Sequence, residues 1–276
     1  MNIVQIHEAV RFWLDTVRSP RQDSIEIDRA INLTIDSLVN EKYEQATALH
    51  PNDAFQKTQK VRDQLGKLVE RLTVANGKVT IAAPAIPGES VITYTNPDSF
   101  RHLLSVVVFT PTSRYPCFPI DYNHKTVVQR NPFRRPRIGK YSKFYHTEEE
   151  GKTLILHPET IVLSEAELFV LRDFISCVYG FEADQTKSFG AGEQVIVAKK
   201  GTVYAGVEKN IGDVITIVAP NLAIDSGLVV YDFVNCELSV TLHEEIARRT
   251  AVQILRSTSQ VEKVNMLMAE FKVGRS

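Results

Sequence analysis

The sequence from residue 242 to 273, LHEEIARRTAVQILRSTSQVEKVNMLMAEFKV, predicts two consecutive helices after a long run of strand-like sequence. In the first helix, apolar or small residues recur on one side: Ile246, Ala247, Thr250, Ala251, Ile254 and Leu255. Thr241 with Glu244, and Ser259 with Glu262, have the spacing of capping boxes and predict the two helix starts. The second helix carries a narrow apolar stripe, namely Val261, Val264, Met268 and Phe271. Both helices therefore need a neighbour against which to pack.

The other end of the chain offers that neighbour. Residues 3–17 predict a first helix that ends before Pro20, because a proline disfavours helical geometry in the residue before it. Residues 23–43 predict a second helix that begins with a capping box. The spacing of five apolar residues predicts a short third helix: Val61, Leu65, Leu68, Val69 and Leu72. We therefore predict a discontinuous helical domain formed by residues 1–70 and 240–276.

The middle of the chain has the pattern of short strands. Residues 73–81 predict two strands paired as a hairpin around Asn76-Gly77. Recurrent prolines between residues 84 and 158 are typical of a loop-rich β region. We expect a helical turn at residues 98–101. For residues 167–172 we favour a strand, although Ser164 and Glu167 have the spacing of a helix cap.

Glycine turns separate short apolar runs in the region that precedes the last two helices. This pattern predicts a small β module over residues 186–239. The predicted fold class is therefore α+β, with a β-rich body over residues 71–185 inserted between the two parts of the helical domain.

The composition limits the classes of function. The chain has 276 residues, is 43% hydrophobic, and nearly balances 32 basic against 33 acidic residues, so no global field attracts a polyanion or a membrane. Cys117, Cys177 and Cys236 are odd in number and widely spaced, which favours reduced thiols. No apolar run is long enough for a membrane span, and the N-terminal segment lacks the pattern of a signal peptide. We expect a soluble protein that is not secreted.

Two partial motifs for chemistry fail on their spacing. Gly151-Lys152-Thr153 lacks the upstream glycine of a phosphate-binding loop, because His146 occupies that position, and the residues that follow predict a strand. His243-Glu244-Glu245 lacks the second histidine of a zinc protease motif, because Ala247 occupies its position. The sequence predicts no catalytic residue, no cofactor and no metal site.

One segment, residues 125–146, is locally basic and aromatic, with no acidic residue before Glu148. Its cations are Lys125, Arg130, Arg134, Arg135, Arg137, Lys140 and Lys143, and its aromatic residues are Phe133, Tyr141, Phe144 and Tyr145. An extended segment of this kind is a solvated loop, a contact for an acidic protein surface, or a contact for nucleic acid. The balanced charge of the chain favours a protein over DNA, for example residues 148–150 of a neighbouring subunit.

Several motifs, taken in their order, resemble the neck ring or head-tail connector proteins of tailed bacteriophages, particularly crAss-like phages. The first is the opening helix pair, VRFWLDTVRSPRQDSIEIDRAINLTIDSLVNEKY, with Asp23, Asn32 and Asp36 at the family's positions. The others are DQLGKLVERLTVANGKVTI, NPDSFRHLLSVVV, LHPETI, VYGFE and LHEEIARRTAVQIL. The resemblance extends over nearly the full chain. The basic segment of residues 125–146 is longer than is usual in the family.

The resemblance implies a non-enzymatic virion structural protein, assembled in the host cytoplasm. Such proteins form closed rings, commonly dodecameric, between the portal and the tail, and the genome passes through the ring. The implied partners are other copies of the chain, the portal, adjacent ring or tail proteins, and passing DNA, with no membrane. Val252 lies off the main apolar face of its helix, so if it is exposed it is a candidate contact with the next subunit. The alternative is a carbohydrate- or nucleic-acid-binding β module with a helical oligomerisation domain.

Overall fold

The computed structural model has a mixed α+β fold and divides into two compact units. One unit comprises Met1–Lys67 together with Ile175–Ser276, and the other comprises Leu68–Phe174. The structure describes residues 1–20, 22–47, 63–82, 88–94, 100–110, 113–131, 133–138, 142–149, 152–161, 163–183, 187, 189–218 and 227–273.

Among the described residues, four α-helices belong to the first unit. They are α1 (Ile3–Thr16), α2 (Ser24–Thr47), α4 (Val240–Ser257) and α5 (Val261–Val273), and a short helix α3 (Lys125–Arg130) belongs to the second unit. Helix α4 packs against α1, α2 and α5. All six residues of its predicted apolar face are buried, as expected. Among the described residues, no helix is long and apolar enough to cross a membrane.

The helix boundaries differ in detail from the predicted caps. Helix α4 begins at Val240, one residue before the predicted cap Thr241, and the side chain of Ser239 at its N-cap makes no capping hydrogen bond. The break between α4 and α5 lies where it was expected. Ser259, however, adopts φ +58° at the end of α4 and is not the cap of α5.

The apolar stripe predicted for α5 is only partly correct. Val264 and Leu267 are the buried residues, whereas Val261 and Met268 are exposed. Leu267 packs inward one position before Met268, so the buried side of α5 is rotated from the predicted one. Phe12 on α1 is likewise exposed, although it belongs to an apolar run.

The second unit contains an eight-stranded sheet. Its strands are β1 (Val69–Thr73), β2 (Val79–Ala82), β3 (Glu89–Tyr94), β4 (Phe100–Phe109), β5 (Arg114–Pro119), β6 (Phe144–Glu149), β7 (Lys152–Leu156) and β8 (Glu165–Arg172). They are ordered β1-β8-β4-β5-β6-β7-β3-β2, and all pairs are antiparallel except β5 with β6. A parallel pair requires a long connection, because the chain must return to the same end of the sheet. The basic segment lies in that connection.

The sheet is strongly curled, because its two edge strands are consecutive in sequence. The segment between Thr73 and Val79 spans at most about 21 Å. In a flat sheet, the first and last of eight strands would lie about 34 Å apart. Because the sheet curls, side chains on one of its faces pack together in a common core. This core includes Val79, Ile92, Val106, Phe144, Ile155 and Leu168.

Three local predictions for this region are wrong. The predicted hairpin is not a pair, because β1 pairs with β8 and β2 pairs with β3. Residues 69–72, predicted as helix, belong to β1, because pairing with β8 outweighs the helical spacing. In the described part of the predicted helix, residues 63–65 are α-helical and Gly66–Leu68 form a 3₁₀ helix. Phe100 and Arg101 begin β4, and the rest of the helical turn predicted there lies outside the described residues. The strand predicted at residues 167–172 is confirmed as part of β8.

A smaller β region belongs to the first unit. Its strands are β9 (Phe181–Ala183), β10 (Gln194–Val197), β11 (Thr202–Tyr204), β12 (Val207–Lys209), β13 (Val214–Thr216) and β14 (Val229–Tyr231). They form an antiparallel sheet in the order β13-β10-β14-β9 and a separate ribbon of β11 with β12. The ribbon turns at Ala205-Gly206, where both residues have positive φ, as a tight hairpin turn requires. Buried side chains including Phe189, Val195 and Val229 form the core.

Candidate functional site

The basic segment starts on a helix that is anchored to the sheet. In α3, Lys125 Nζ lies 2.7 Å from Glu89 Oε2, and Gln129 Nε2 donates to Glu89 Oε1 at 2.7 Å. Glu89 is buried on β3, and Val128 of α3 is buried among residues of β6 and β7. Lys125 is therefore neutralised by an internal carboxylate, and its role as a contact residue stays a prediction.

A compact turn follows this helix, not the extended segment that was predicted. The carbonyl of Asn131 accepts hydrogen bonds from the N–H groups of Arg134 (3.0 Å) and Arg135 (2.8 Å), and its side chain accepts one from Phe133 N–H at 2.9 Å. Further on, Arg137 and Lys143 exchange two backbone hydrogen bonds of 3.1 and 2.9 Å. Lys140 lies outside the described residues.

The four arginines of this region are alike in their exposure and in their lack of a carboxylate partner among the described residues. Arg130, Arg134, Arg135 and Arg137 are exposed, and none of them forms an ion pair with a carboxylate in the described part of the chain. Burial raises the pKa of Tyr145, and the guanidinium groups of Arg134 and Arg137 partly oppose that rise, which places both cations near this ring. The ammonium group of Lys143 lies 3.4 Å from the carbonyl of Phe133.

Apolar side chains are exposed between these cations. Phe133 is 78% exposed and Ile138 is 50% exposed. Beside the segment is a recess of about 670 Å³, whose walls include Ile120, Val128, Arg134 and Glu148. We call the surface formed by Arg130, Phe133, Arg134, Arg135 and Arg137 the arginine surface.

A second candidate site is a cleft in the first unit, between α2, α4 and α5. It has a volume of about 990 Å³, and its lining includes Leu33, Val252, Met268 and Phe271. Leu33 is 58% exposed, whereas Val252 is only 8% exposed. The condition for the prediction of Val252 as a contact residue is thus not met, because its side chain packs inward on α4.

Internal ion pairs neutralise four of the five charged side chains that line this cleft, and the fifth, Arg256, forms no ion pair with a described residue. Arg248 pairs with Glu244, and its guanidinium carbon lies 5.2 Å from the ring centroid of Trp13 and 5.4 Å from that of Phe271. Arg249 pairs with Glu41 and Glu245, and the hydrogen bond to Glu41 is the main cause that raises its pKa. Arg248 and Arg249 hold the helices together, so the apolar residues and Arg256 are the free part of the cleft.

Two polar side chains of α2 have a role that the sequence did not reveal. Asp28 accepts hydrogen bonds from Tyr179 N–H at 3.0 and 3.1 Å and from His7 Nε2 at 2.8 Å. Asn32 donates to the carbonyl of Cys177 at 2.9 Å and accepts from its N–H at 2.8 Å. Both residues therefore bind the backbone near residues 177–179. No local sequence pattern predicts this contact.

One buried pair has the residue types of a nucleophile and its base. Ser90 Oγ lies 2.9 Å from His157 Nε2, and His157 Nδ1 lies 2.9 Å from the carbonyl of Pro158, so the serine hydroxyl donates to the ring. Both side chains are buried, and no substrate can reach the hydroxyl in this arrangement. The pair instead holds β3 next to the end of β7.

The buried thiols give no metal site either. The side chain of Cys236 interacts with the side chains of Cys177 and His243, and the hydrogen bond with Cys177 is the main cause that lowers its pKa. In the described part of the chain, no three His, Cys, Asp or Glu side chains are arranged to hold a metal ion. His243 Nε2 lies 3.0 Å from the carbonyl of Leu238, which ties the start of α4 to the preceding loop.

Comparisons with known proteins give no family assignment: no family model matches the chain, and none of the curated proteins is significantly similar to it.

Proposed function

We propose that this protein is a non-enzymatic structural subunit that forms a ring in the neck of a tailed bacteriophage, between the portal and the tail. The observation that carries the proposal is the cleft of about 990 Å³ between α2, α4 and α5. It combines charged side chains that are mostly paired internally, all except Arg256, with exposed apolar side chains, Leu33 and Met268. A surface of this kind suits a permanent protein contact, since burying it removes apolar area from water and leaves only Arg256 for the partner to pair.

A ring requires two different surfaces on each subunit. In a closed ring with more than two members, one patch of each copy meets a different patch of the next copy. We propose that an element of the neighbouring copy occupies the cleft. The motif order that resembles neck ring proteins favours another copy over an unrelated partner.

We further propose that the helices form a discontinuous domain into which the β body is inserted. The packing of α4 on α1 and α2 supports this arrangement. The ends of the second unit support it too, because Val69 pairs with Leu171 and the chain therefore leaves that unit next to its point of entry. Insertion at adjacent ends leaves the host domain able to close.

The proposal is tested by the mass of the assembly in solution, measured by mass photometry for the wild type and two variants. We expect the wild type to form a closed ring, alone or when mixed with the portal protein of its phage. Leu33→Glu should remain monomeric with an unchanged melting temperature, because the position is exposed and a carboxylate in the interface would lose its hydration.

Ile25→Glu is the matched control, since Ile25 lies on the same helix, is 67% exposed and is not part of the cleft lining. It should form rings like the wild type. Val252→Glu is not suitable for this test, because a buried carboxylate would destabilise the fold itself. A wild type that stays monomeric with the portal present, or equal assembly of all three proteins, would contradict the proposal.

The second candidate function is a nucleic-acid-binding module with a helical oligomerisation domain. The arginine surface is the specific observation that favours it. The two functions differ in what is expected of Leu33→Glu: a binding module retains its ligand as a monomer, whereas a ring subunit without its ring loses its function.

A further inference from the structure

We propose that the arginine surface binds the phosphate backbone of nucleic acid. Four guanidinium groups, those of Arg130, Arg134, Arg135 and Arg137, lie within one short stretch without a carboxylate partner among the described residues. Other arginines are paired, since Arg71 and Arg114 bind the buried Glu167 and Arg248 and Arg249 bind glutamates, or stand singly without an ion pair in the described part of the chain, as do Arg18, Arg29 and Arg256. The four arginines of the arginine surface differ in being close together in the sequence, and this clustering favours a polyanionic partner from outside the chain.

The backbone that carries these arginines is held from three directions. Glu89 anchors α3 at one end, the Asn131 turn fixes the backbone of Arg134 and Arg135, and the pair of Arg137 with Lys143 closes the loop. A fixed backbone lowers the entropy lost when the side chains bind, because only side-chain rotations remain to be ordered. The planar guanidinium group also matches two phosphate oxygens at once.

The choice of a phosphate backbone over a second copy of the chain rests on the acidic residues of the chain itself. The pair Glu244 and Glu245 is already bound by Arg248 and Arg249. The other acidic run, residues 148–150, follows directly after the basic segment in the sequence. A second copy would therefore bring its own arginine surface close to any contact made through that run. A nucleic acid supplies regularly spaced negative charges without this repulsion.

The exposed ring of Phe133 distinguishes two forms of nucleic acid. A base can stack on this ring only when it is not paired within a duplex, so the ring would strengthen binding to a single strand alone. The arginines would serve both forms. Binding of this kind does not rest on the ring assembly proposed above, because the surface is complete in one copy of the chain.

The test is fluorescence anisotropy with a labelled 24-base-pair duplex and with one of its strands, between 50 and 200 mM salt. Four phosphate contacts give an expected slope of log K against log salt of about −3.6 for the duplex, and therefore a weakening of roughly 100-fold across this range. The Leu33→Glu chain should bind as tightly as the wild type. Failure of ring assembly and failure of nucleic-acid binding are thereby measured separately.

The decisive variant is the double substitution Arg134→Ala with Arg135→Ala. It should weaken binding to both probes. The slope of log K against log salt should become less steep by the amount that about two phosphate contacts contribute. The control is Lys199→Ala with Lys200→Ala, which removes the same charge from two exposed, adjacent residues of the small β region and should change neither quantity. Phe133→Ala should weaken binding to the single strand only.

Three results would overturn the proposal. The first is no binding of the wild type to either probe at 50 mM salt. The second is an equal effect of the two double variants, which would indicate a response to net charge alone. The third is tighter binding of a polyglutamate peptide than of DNA, which would assign the surface to an acidic protein.

Discussion

Asp28 and Asn32 lie about one turn apart on α2 and bind the backbone of the same short segment. His7 joins them, with its ring centroid 4.5 Å from that of Tyr179. Apart from one isolated bridge between Val178 and Val234, this segment lies outside the strands, so side chains supply the hydrogen bonds that a sheet would otherwise supply. Three polar side chains thereby hold the entry to the small β region against the helices.

His7 makes the stability of the first unit dependent on pH. Burial is the main cause that lowers its pKa, although the hydrogen bond with Asp28 opposes the shift. Its Nδ1 atom is buried without a hydrogen-bond partner, so a proton there would find no acceptor. Because the folded pKa lies below the unfolded one, stability is complete above about pH 6.5 and is lost as the pH falls through the folded pKa.

We expect the free energy of unfolding to decrease between pH 7 and pH 5, by up to about 1.4 kcal/mol per pH unit from this group. His7→Gln should show a smaller decrease, since an amide can donate to Asp28 but does not titrate. His124→Gln is the control, because that ring is exposed, and it should keep the wild-type dependence. Denaturant titrations at several pH values measure all three. Parallel curves for the wild type and His7→Gln would contradict this explanation.

At the scale of the elements, α1 and α4 end in the same way without a glycine. After α1, Arg18 has φ +51° and the N–H of Ser19 donates to the carbonyl of Leu14 at 3.0 Å. After α4, Ser259 has φ +58° and the N–H of Gln260 donates to the carbonyl of Leu255 at 2.9 Å. Both are Schellman ends, which usually carry glycine at the left-handed position. The absence of glycine explains why the sequence did not reveal them.

Ser259→Gly should therefore stabilise the protein by roughly 0.5–1 kcal/mol, because glycine adopts the left-handed conformation without the steric cost that a side chain imposes. The matched variant Ser257→Gly alters the last helical residue of α4, where the same replacement should destabilise by a similar amount. Thermal denaturation compares the two. A loss of stability in Ser259→Gly would show that the left-handed conformation is not strained.

At the scale of the whole molecule, the order of the strands in the large sheet differs from their order in the sequence. Strand β8 is the clearest case, because it lies between β1 and β4 in the sheet although it comes last in the second unit. The unit is therefore complete only when both of its ends are present. Its two ends are adjacent, as the pairing of Val69 with Leu171 requires.

We expect a fragment of residues 68–174 to fold alone and to unfold cooperatively with a β-type circular dichroism spectrum. It has its own buried core and adjacent ends, which are the properties of an independent unit. A fragment of residues 68–160 lacks β8, leaves β1 and β4 without their shared neighbour, and should not fold. A disordered 68–174 fragment would contradict the prediction.

Prediction from the sequence was most successful where one local pattern decided the outcome. The buried face of α4 followed from periodicity, and the strand at β8 followed from its branched and aromatic residues. The basic segment was located from composition, yet the ion pair of Lys125 could not be predicted, because its partner, Glu89, lies far away in sequence. Val252 was a candidate contact only if exposed, and its burial depends on neighbours that an isolated helix does not display.

The sequence by itself determined the fold class, the positions of most helices and strands, and the segment in which unpaired cations accumulate. Hydrophobic periodicity and composition are local properties, so they can be read from neighbouring residues. Only the tertiary structure decided that β1 and β2 lie at opposite edges of a curled sheet, that Asp28 and Asn32 bind residues 177–179, and which arginines remain unpaired. These outcomes depend on contacts between distant parts of the chain, whose free energy no single stretch contains.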